Sequence, residues 1–378
     1  MSASTVPNIR LFRGIISALI STVLLCGAAN ATAQLVQPSA DALAELDQLI
    51  EDHLVEYNIP GGIVAVASRG RVIYLETYGL ANVELSVPVT DSTVFEIGSI
   101  SKQFVAAAAM ILIQEDRLGL DDPIHQYLPD LPSEWLGVTV RHLLTHTSGI
   151  PDYEEIRTYD VYGFRLTPEE IIQIAHSRPI DFAPGEGWFY SNTGYFLLSM
   201  IVERIEGRPL GRVLQSRIFG PLGMTQTRFA DPEAIIPHRA AGYWVNKVGE
   251  LINRRPTETS STLGAGGILS SAYDLAKWDE ALYGESLLSA ESKAAMWTPA
   301  VLPNGESTGY AFGWNVRPYR GLVSTSHSGQ VAGFVANFSR FPEQDTAIIV
   351  FLNRYQVSSR RPMVAVLHTF MPSLGPIP

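Results

Sequence analysis

"FEIGSISKQF", residues 95–104, sets two serines and a lysine at the head of the most apolar helical stretch that follows the first 33 residues of a 378-residue chain. If a helix begins near Ser99, then Ser99 and Lys102 stand at i and i+3 and share one face, whereas Ser101 points elsewhere. A serine hydroxyl attacks a carbonyl only when a base takes its proton, and lysine is such a base only when desolvation or a nearby cation lowers its pKa. The apolar run after Lys102 offers that desolvation, and a helix N-terminus offers oriented N–H groups for a developing oxyanion. The chain has 27 lysines and arginines, and only Lys102, Lys247, Lys277 and Lys293 are lysines, so one beside an apolar run stands out. Taken alone, the spacing equally describes a capping serine followed by a lysine whose head reaches solvent.

The surroundings of this stretch alternate in texture. Upstream, Leu43, Leu46, Leu49, Ile50 and Leu54 recur at helical spacing over 41–56. "GIVAVAS" and "RVIYLETYG" then read as two strands joined at Arg69-Gly70. Downstream, "KQFVAAAAMILIQEDRLGL", "TPEEIIQIAHS" and "TGYFLLSMIVERIEG" predict helices, the second opened by a threonine cap and the third closed by Gly207. After "GAGGILSSAYDLAKWDEALYG", a glycine turn and a helix, come the short strand-like runs "GYAFGWNVRP", "LVSTSHSG", "VAGFVANFSRF" and "TAIIVFLNR", then a last helix in "RPMVAVLHTFM". Strands at both ends and helices between predict an α+β fold: one antiparallel sheet built from the two chain ends, flanked by helices. The sheet lobe would take about 34–94 and 264–378, and an inserted helical lobe about 95–263.

Two further clusters carry chemistry. In "FAPGEGWFYSNTGYFLL", Tyr190, Ser191 and Asn192 form a turn directly before a helix. A phenol beside an ammonium has a lowered pKa and can shuttle a proton between nucleophile and leaving group, while an asparagine amide can orient a lysine or an acyl substrate. The same residues also suit an ordinary capped turn with a core aromatic. In "STSHSGQVAGF", His327, Ser328 and Gly329 end a β-run, where a glycine lets a substrate backbone approach as an added strand. An ordinary strand with an exposed histidine fits equally well.

Taken in order, Ser-x-x-Lys, Tyr-x-Asn and His-Ser-Gly resemble the motif set of the penicillin-recognising serine hydrolases, the β-lactamases and penicillin-binding proteins. Tyr190-Ser191-Asn192 makes the chain similar to the class C β-lactamase branch, with its D-alanyl-D-alanine carboxypeptidases, D-amino-acid peptidases and family VIII esterases. "LLTHTSGIPDY" and "GAGGILSSAYDLAKW" also look like family segments, and the likeness runs over nearly the whole chain after residue 33. The resemblance implies the β-lactamase/transpeptidase-like fold. It makes Ser99 the acyl-enzyme nucleophile, Lys102 the group that takes or relays its proton and Tyr190 the second member of the proton pair. Asn192, His327, Ser328 and Gly329 would bind substrate, and the N–H groups of Ser99 and Gln330 would form the oxyanion hole. Gly266 and Gly267 would shape the cleft floor. Where most β-lactamases have lysine, this chain has His327, so a clamp on a substrate carboxylate would depend on pH through a group of ordinary pKa near about 6.5. Trp188, Tyr153 and Trp244 are candidates for an aromatic cleft wall, and equally for core.

The N-terminus carries its own expectation. Arg10 and Arg13 precede an apolar run from Gly14 to Leu25, and Ala31-Thr32-Ala33 offers a small-x-small cleavage site, so residues 1–33 read as a secretory signal peptide and the chain as secreted or periplasmic. The run is short of the roughly 20 residues of a membrane span. Cys26, the sole cysteine, lies inside it, leaving a mature chain without thiol, disulfide or cysteine metal site. Cleavage removes two arginines and no acids, taking the formal charge from −11 to −13. An acidic chain without basic runs argues against nucleic-acid binding. No Gly-x-Ser-x-Gly elbow, His-Glu-x-x-His or Walker loop occurs, and "GAGGIL" lacks dinucleotide-loop spacing. The expected partner is a small-molecule or peptide substrate, an ester, a D-amino-acid peptide or a β-lactam, handled without cofactor; nothing in the sequence sets an oligomeric state.

Overall fold

The computed structural model describes residues 33–157 and 159–377. The expected signal segment up to Thr32, Cys26 included, lies outside the described residues. Helix α1 (Ala40–Glu56) starts where the Ser39 hydroxyl accepts a bond from the Ala42 N–H. Strands β1 (Gly61–Ser68) and β2 (Arg71–Asn82) form the expected hairpin. Its two turn residues, Arg69 and Gly70, both take left-handed φ, 44° and 77°, the geometry that matches the twist of a two-residue hairpin. A short β3 (Val87–Pro88) follows.

From the other end of the chain come β4 (Asn315–Val316), β5 (Thr325–Val331), β6 (Phe334–Phe341) and β7 (Thr346–Leu352). The seven strands make one sheet in the order β3-β2-β1-β7-β6-β5-β4, and β1 meets β7 antiparallel with Ile63 opposite Phe351. Both ends of the described chain thus share one sheet, as the strand-like runs at its two ends predict.

Burial explains why β1 reads as an unbroken apolar run: it is covered on both faces. Val64 and Val66 pack with Leu46 and Ile50 of α1 and Val366 of α5 (Arg360–Phe370). The alternate residues Ile63 and Ala65 belong to the opposite core with Phe104 of α2 (Ser101–Gln114) and Trp278 of α4 (Ala272–Ala281). Helix α2 is buried on every side from Ser101 to Leu112, which is what an apolar helix without a polar face requires. Against it lies α3 (Asn192–Glu206), capped by the Ser191 hydroxyl at one end and by Gly207, φ 66°, at the other.

Two stretches differ from their sequence reading. The middle of the chain also carries strands: Phe95–Glu96 and Arg228–Phe229 flank Ile268–Ser270, and Tyr243–Val245 pairs with Leu251–Asn253. "GYAFGWNVRP" contributes only β4, because Gly309 and Gly313 turn the chain at positive φ and send Tyr310 and Trp314 into the core instead of along an edge. Among the described residues, no helix is long and apolar enough to cross a membrane.

Candidate active site

Ser99 sits in a 3-10 turn, Gly98–Ile100, that runs directly into α2. That turn presses against β5 so closely that side chains are excluded: a Cβ on Gly98, at φ +52°, would come within 2.6 Å of the Gln330 nitrogen, and one on Gly329 within 1.9 Å of the Ile97 oxygen. The contact brings the backbone N–H groups of Ser99 and Gln330 to the same corner of the cleft. Strand β4 covers only Thr325 and Ser326, so the edge of β5 from His327 onward has no strand partner on that side among the described residues.

Lys102 is fully buried, and its Nζ lies 3.0 Å from Ser99 Oγ, 2.7 Å from Asn192 Oδ1 and 2.6 Å from the Ala265 carbonyl. Burial lowers its pKa to about 7, against the opposing pull of the Glu154 and Asp152 carboxylates. Near neutral pH the amine is therefore substantially uncharged, with two N–H groups and one lone pair. Ser101, the other serine of the opening stretch, is buried and accepts a hydrogen bond from the Ile268 N–H, which ties α2 to the neighbouring short strand. The i, i+3 argument thus separates the two hydroxyls as expected: one faces the cleft and the lysine, the other is structural.

The Tyr190 hydroxyl reaches Ser99 from a half-buried ring on the cleft wall, and the Lys102 Nζ stands 4.9 Å from the centroid of that ring. Burial holds this phenol well above its usual pKa, outweighing the Ser99 contact that lowers it. The expected easily ionised phenol is therefore corrected. Lys102 and Tyr190 share a desolvated pocket, and desolvation favours the neutral form of both.

His327 requires a larger correction. The side chain is buried, its Nδ1 donates to the Ser328 carbonyl at 2.6 Å, and its Nε2 accepts from the Tyr310 hydroxyl at 3.0 Å. Burial, with Lys102 nearby, pushes its pKa down to about 3. A neutral imidazole fixed in one tautomer cannot be the pH-dependent cation expected opposite a substrate carboxylate.

The cleft, about 610 Å3, is lined by Ser99, Asn192, His327, Ser328 and Gln330, and Gly329 lies beneath it in β5. Of the aromatic candidates, Trp188 lines it, joined by Phe189, Tyr162 and Tyr310. Tyr153 is instead core, donating to the Ser261 carbonyl, and Trp244 packs at a tilt against Tyr355 away from the site. Gly266 and Gly267 do not line the cleft either; they let the chain pass close to Val331 and Leu263, so that the preceding Ala265 carbonyl reaches Lys102.

Several site groups carried no sequence signal. Asp152, nearly buried, accepts from the Asn192 amide nitrogen at 3.0 Å, and burial raises its pKa to about 6. Glu154 lines the wall, is raised to about 8 by burial, and keeps Oε1 without a hydrogen-bond partner. His146, at a helix end in left-handed conformation, accepts from the Ser191 N–H and packs its ring 4.3 Å from that of Tyr190, holding the Tyr-Ser-Asn turn in place. His146 and Asp152 come from "LLTHTSGIPDY", which Glu154 directly follows, and the segment is stitched to that turn by Thr193, whose hydroxyl donates to the Pro151 carbonyl and accepts from the Tyr153 N–H.

Comparison with known proteins agrees with this geometry. The Beta-lactamase family model matches residues 46–367. A penicillin-binding protein of Bacillus subtilis is 33% identical over 326 residues, covering 81% of this chain and 71% of that one. The esterase EstB of Burkholderia gladioli is 34% identical over 213 residues, covering 52% of this chain and 54% of the esterase. Among solved structures, the D-amino acid amidase of Ochrobactrum anthropi superposes with a TM-score of 0.77 at 27% identity, over 88% of this chain and 99% of the amidase. With its three motifs converging on one cleft in a sheet closed by both chain ends, the chain belongs to the β-lactamase family of serine hydrolases, the family of penicillin-binding proteins, esterases and D-amino acid amidases.

Proposed function

We propose that the protein hydrolyses esters or amides of amino acids through an acyl-Ser99 intermediate, as an esterase or D-amino-acid amidase or peptidase rather than as a β-lactamase or carboxypeptidase. In acylation the Ser99 oxygen bonds to the substrate carbonyl carbon while its proton passes to the Lys102 lone pair. The N–H groups of Ser99 and Gln330 receive the negative charge gathering on the carbonyl oxygen. The tetrahedral species collapses by breaking the bond to the leaving alcohol or amine, which takes its proton from Lys102 through the Tyr190 hydroxyl. Water then adds to the acyl ester with the same groups in reverse roles, releasing the acid and restoring Ser99.

The observation that carries the substrate class is the charge of the wall. Asp152 and Glu155 bring carboxylates to the cleft and Glu154, raised to about 8 by burial, adds a neutral acid near pH 7, while no lysine or arginine lines it among the described residues and His327 is neutral. β-Lactams and D-alanyl-D-alanine peptides bring a carboxylate that such a wall repels, whereas a free amine or a neutral ester suits it. The solved amidase that this fold matches was crystallised with L-phenylalanine amide. A side-by-side measurement of kcat/KM on D-amino acid amides, short-chain p-nitrophenyl esters and a chromogenic cephalosporin tests the reading. It expects the first two to exceed the third, and a dominant cephalosporin rate overturns it. Export to the periplasm is part of the same proposal, supported by Arg10, Arg13, the apolar run and Ala31-Thr32-Ala33. The N-terminal residue of the protein recovered from a periplasmic fraction tests it, and an intact Met1 there refutes cleavage.

A further inference from the structure

We infer that Asp152 is a positioning residue that locks the Asn192 side-chain amide in one of its two orientations, and through it aims the Lys102 lone pair at Ser99. The inference rests on the serine-hydrolase reading above and concerns how its base is set.

An uncharged lysine has two N–H groups and one lone pair, and Lys102 has three neighbours. The Ala265 carbonyl can only accept, so it takes one N–H. The other two contacts depend on Asn192. With Oδ1 toward Lys102, the amide takes the second N–H, and the lone pair is left for the Ser99 hydroxyl proton. With the amide turned over, its nitrogen would donate into the lone pair. Lys102 would then donate its second N–H to Ser99 Oγ, and the hydroxyl proton would have no base.

A carboxylate accepts and cannot donate, so it decides between these two states. Asp152 Oδ2 lies 3.0 Å from Asn192 Nδ2, and turning the amide over would set two acceptor oxygens against each other. The carboxylate is itself fixed, because its Oδ1 accepts from the Glu154 N–H at 3.1 Å and the side chain is 4% exposed. The chain Asp152, Asn192, Lys102, Ser99 thus has a single hydrogen-bond direction that starts at the one member unable to donate. The groups that titrate around Asp152 are Lys102 on α2 and its near neighbour Glu154.

The test is a double-mutant cycle in the acylation of Ser99 by a fluorophosphonate, followed by intact-protein mass spectrometry. Asp152→Ala is measured alone and combined with Asn192→Ala, and Asp152→Asn stands in for it in both backgrounds if the alanine variant fails to fold. A hydrogen bond to a charged group corresponds to about a 10- to 100-fold fall in the limiting rate of labelling for Asp152→Ala alone, with the half-saturating probe concentration unchanged. Once Asn192 is alanine there is no amide left to orient, so removing Asp152 costs less than about 3-fold. An equal loss in both backgrounds, no loss in the first, or a change confined to half-saturation overturns the inference. Absence of any label on Ser99 in the unmutated protein would instead refute the nucleophile assignment.

Discussion

Replacing Lys102 by arginine keeps a cation, a long apolar stem and several donors, yet removes the one property the site depends on, because a guanidinium does not lose its proton in this pH range. The structure fixes how large the effect should be. With its pKa lowered to about 7 by burial, Lys102 is about half neutral at pH 7, about one-tenth at pH 6 and about one-hundredth at pH 5. The kcat/KM of the unmutated enzyme on a p-nitrophenyl ester should therefore fall about tenfold per pH unit below 7. Below pH 6 the limb should steepen, because Asp152, raised to about 6 by burial, also gains its proton and loses its hold on the Asn192 amide. General-base catalysis contributes about 10²- to 10⁴-fold, so Lys102→Arg should lose at least two orders of magnitude at pH 8. A flat profile from pH 8 to pH 5, or an arginine variant within tenfold of the unmutated rate, would refute the assignment of the base.

Other expectations follow from single contacts. Ser99→Ala should abolish labelling by a fluorophosphonate. Ser101→Ala should keep most of the turnover but lose about 1–3 kcal/mol of stability in chemical denaturation, since the buried Ile268 N–H loses its acceptor. Gly329→Ala sets a carbon 1.9 Å from the Ile97 oxygen and must part the Ser99 turn from β5. A loss of about 10²- to 10³-fold in kcat is expected, as for a missing oxyanion donor, and unchanged kinetics would remove Gln330 from the oxyanion hole. Because His327 stays neutral, binding of carboxylate-bearing inhibitors should show no added affinity from pH 8 to pH 6 that His327→Gln abolishes; such a loss would restore the imidazolium clamp. Against burial that would raise it, hydrogen bonds from Arg217, Arg208 and Arg117 hold Glu206 down at about 2. Glu206→Gln should thus destabilise the protein above about pH 4.5, with the difference shrinking as pH falls toward 2, as thermal melts across pH would show.

The pairing of Ser99 with Lys102 was legible because helical periodicity decides which of two serines faces the lysine, and the shared sheet was legible in the strand-like runs at both ends of the chain. Charge states were not legible. The sequence suggests a Tyr190 phenol lowered by a neighbouring ammonium and a His327 of ordinary pKa, but both are set by burial, which depends on residues brought in from distant segments. Asp152 was hidden because Pro-Asp-Tyr reads as a turn, and its partner Asn192 lies forty residues on. The Ala265 carbonyl was hidden more deeply, since a backbone acceptor leaves no trace in residue type.

The clasp between Gly98 and Gly329 bears on how such a protein can diversify. Two backbones meet there with no side chain between them, so the spacing of Ser99 from the Gln330 N–H has no residue that could be exchanged to adjust it. Acceptance of new substrates must then arise elsewhere, in the stretch of Glu154 and Glu155 and in the turn at Trp188 and Phe189, which line the cleft without forming the joint. A mutational library aimed at those two segments could move selectivity while the reaction chemistry is inherited unchanged.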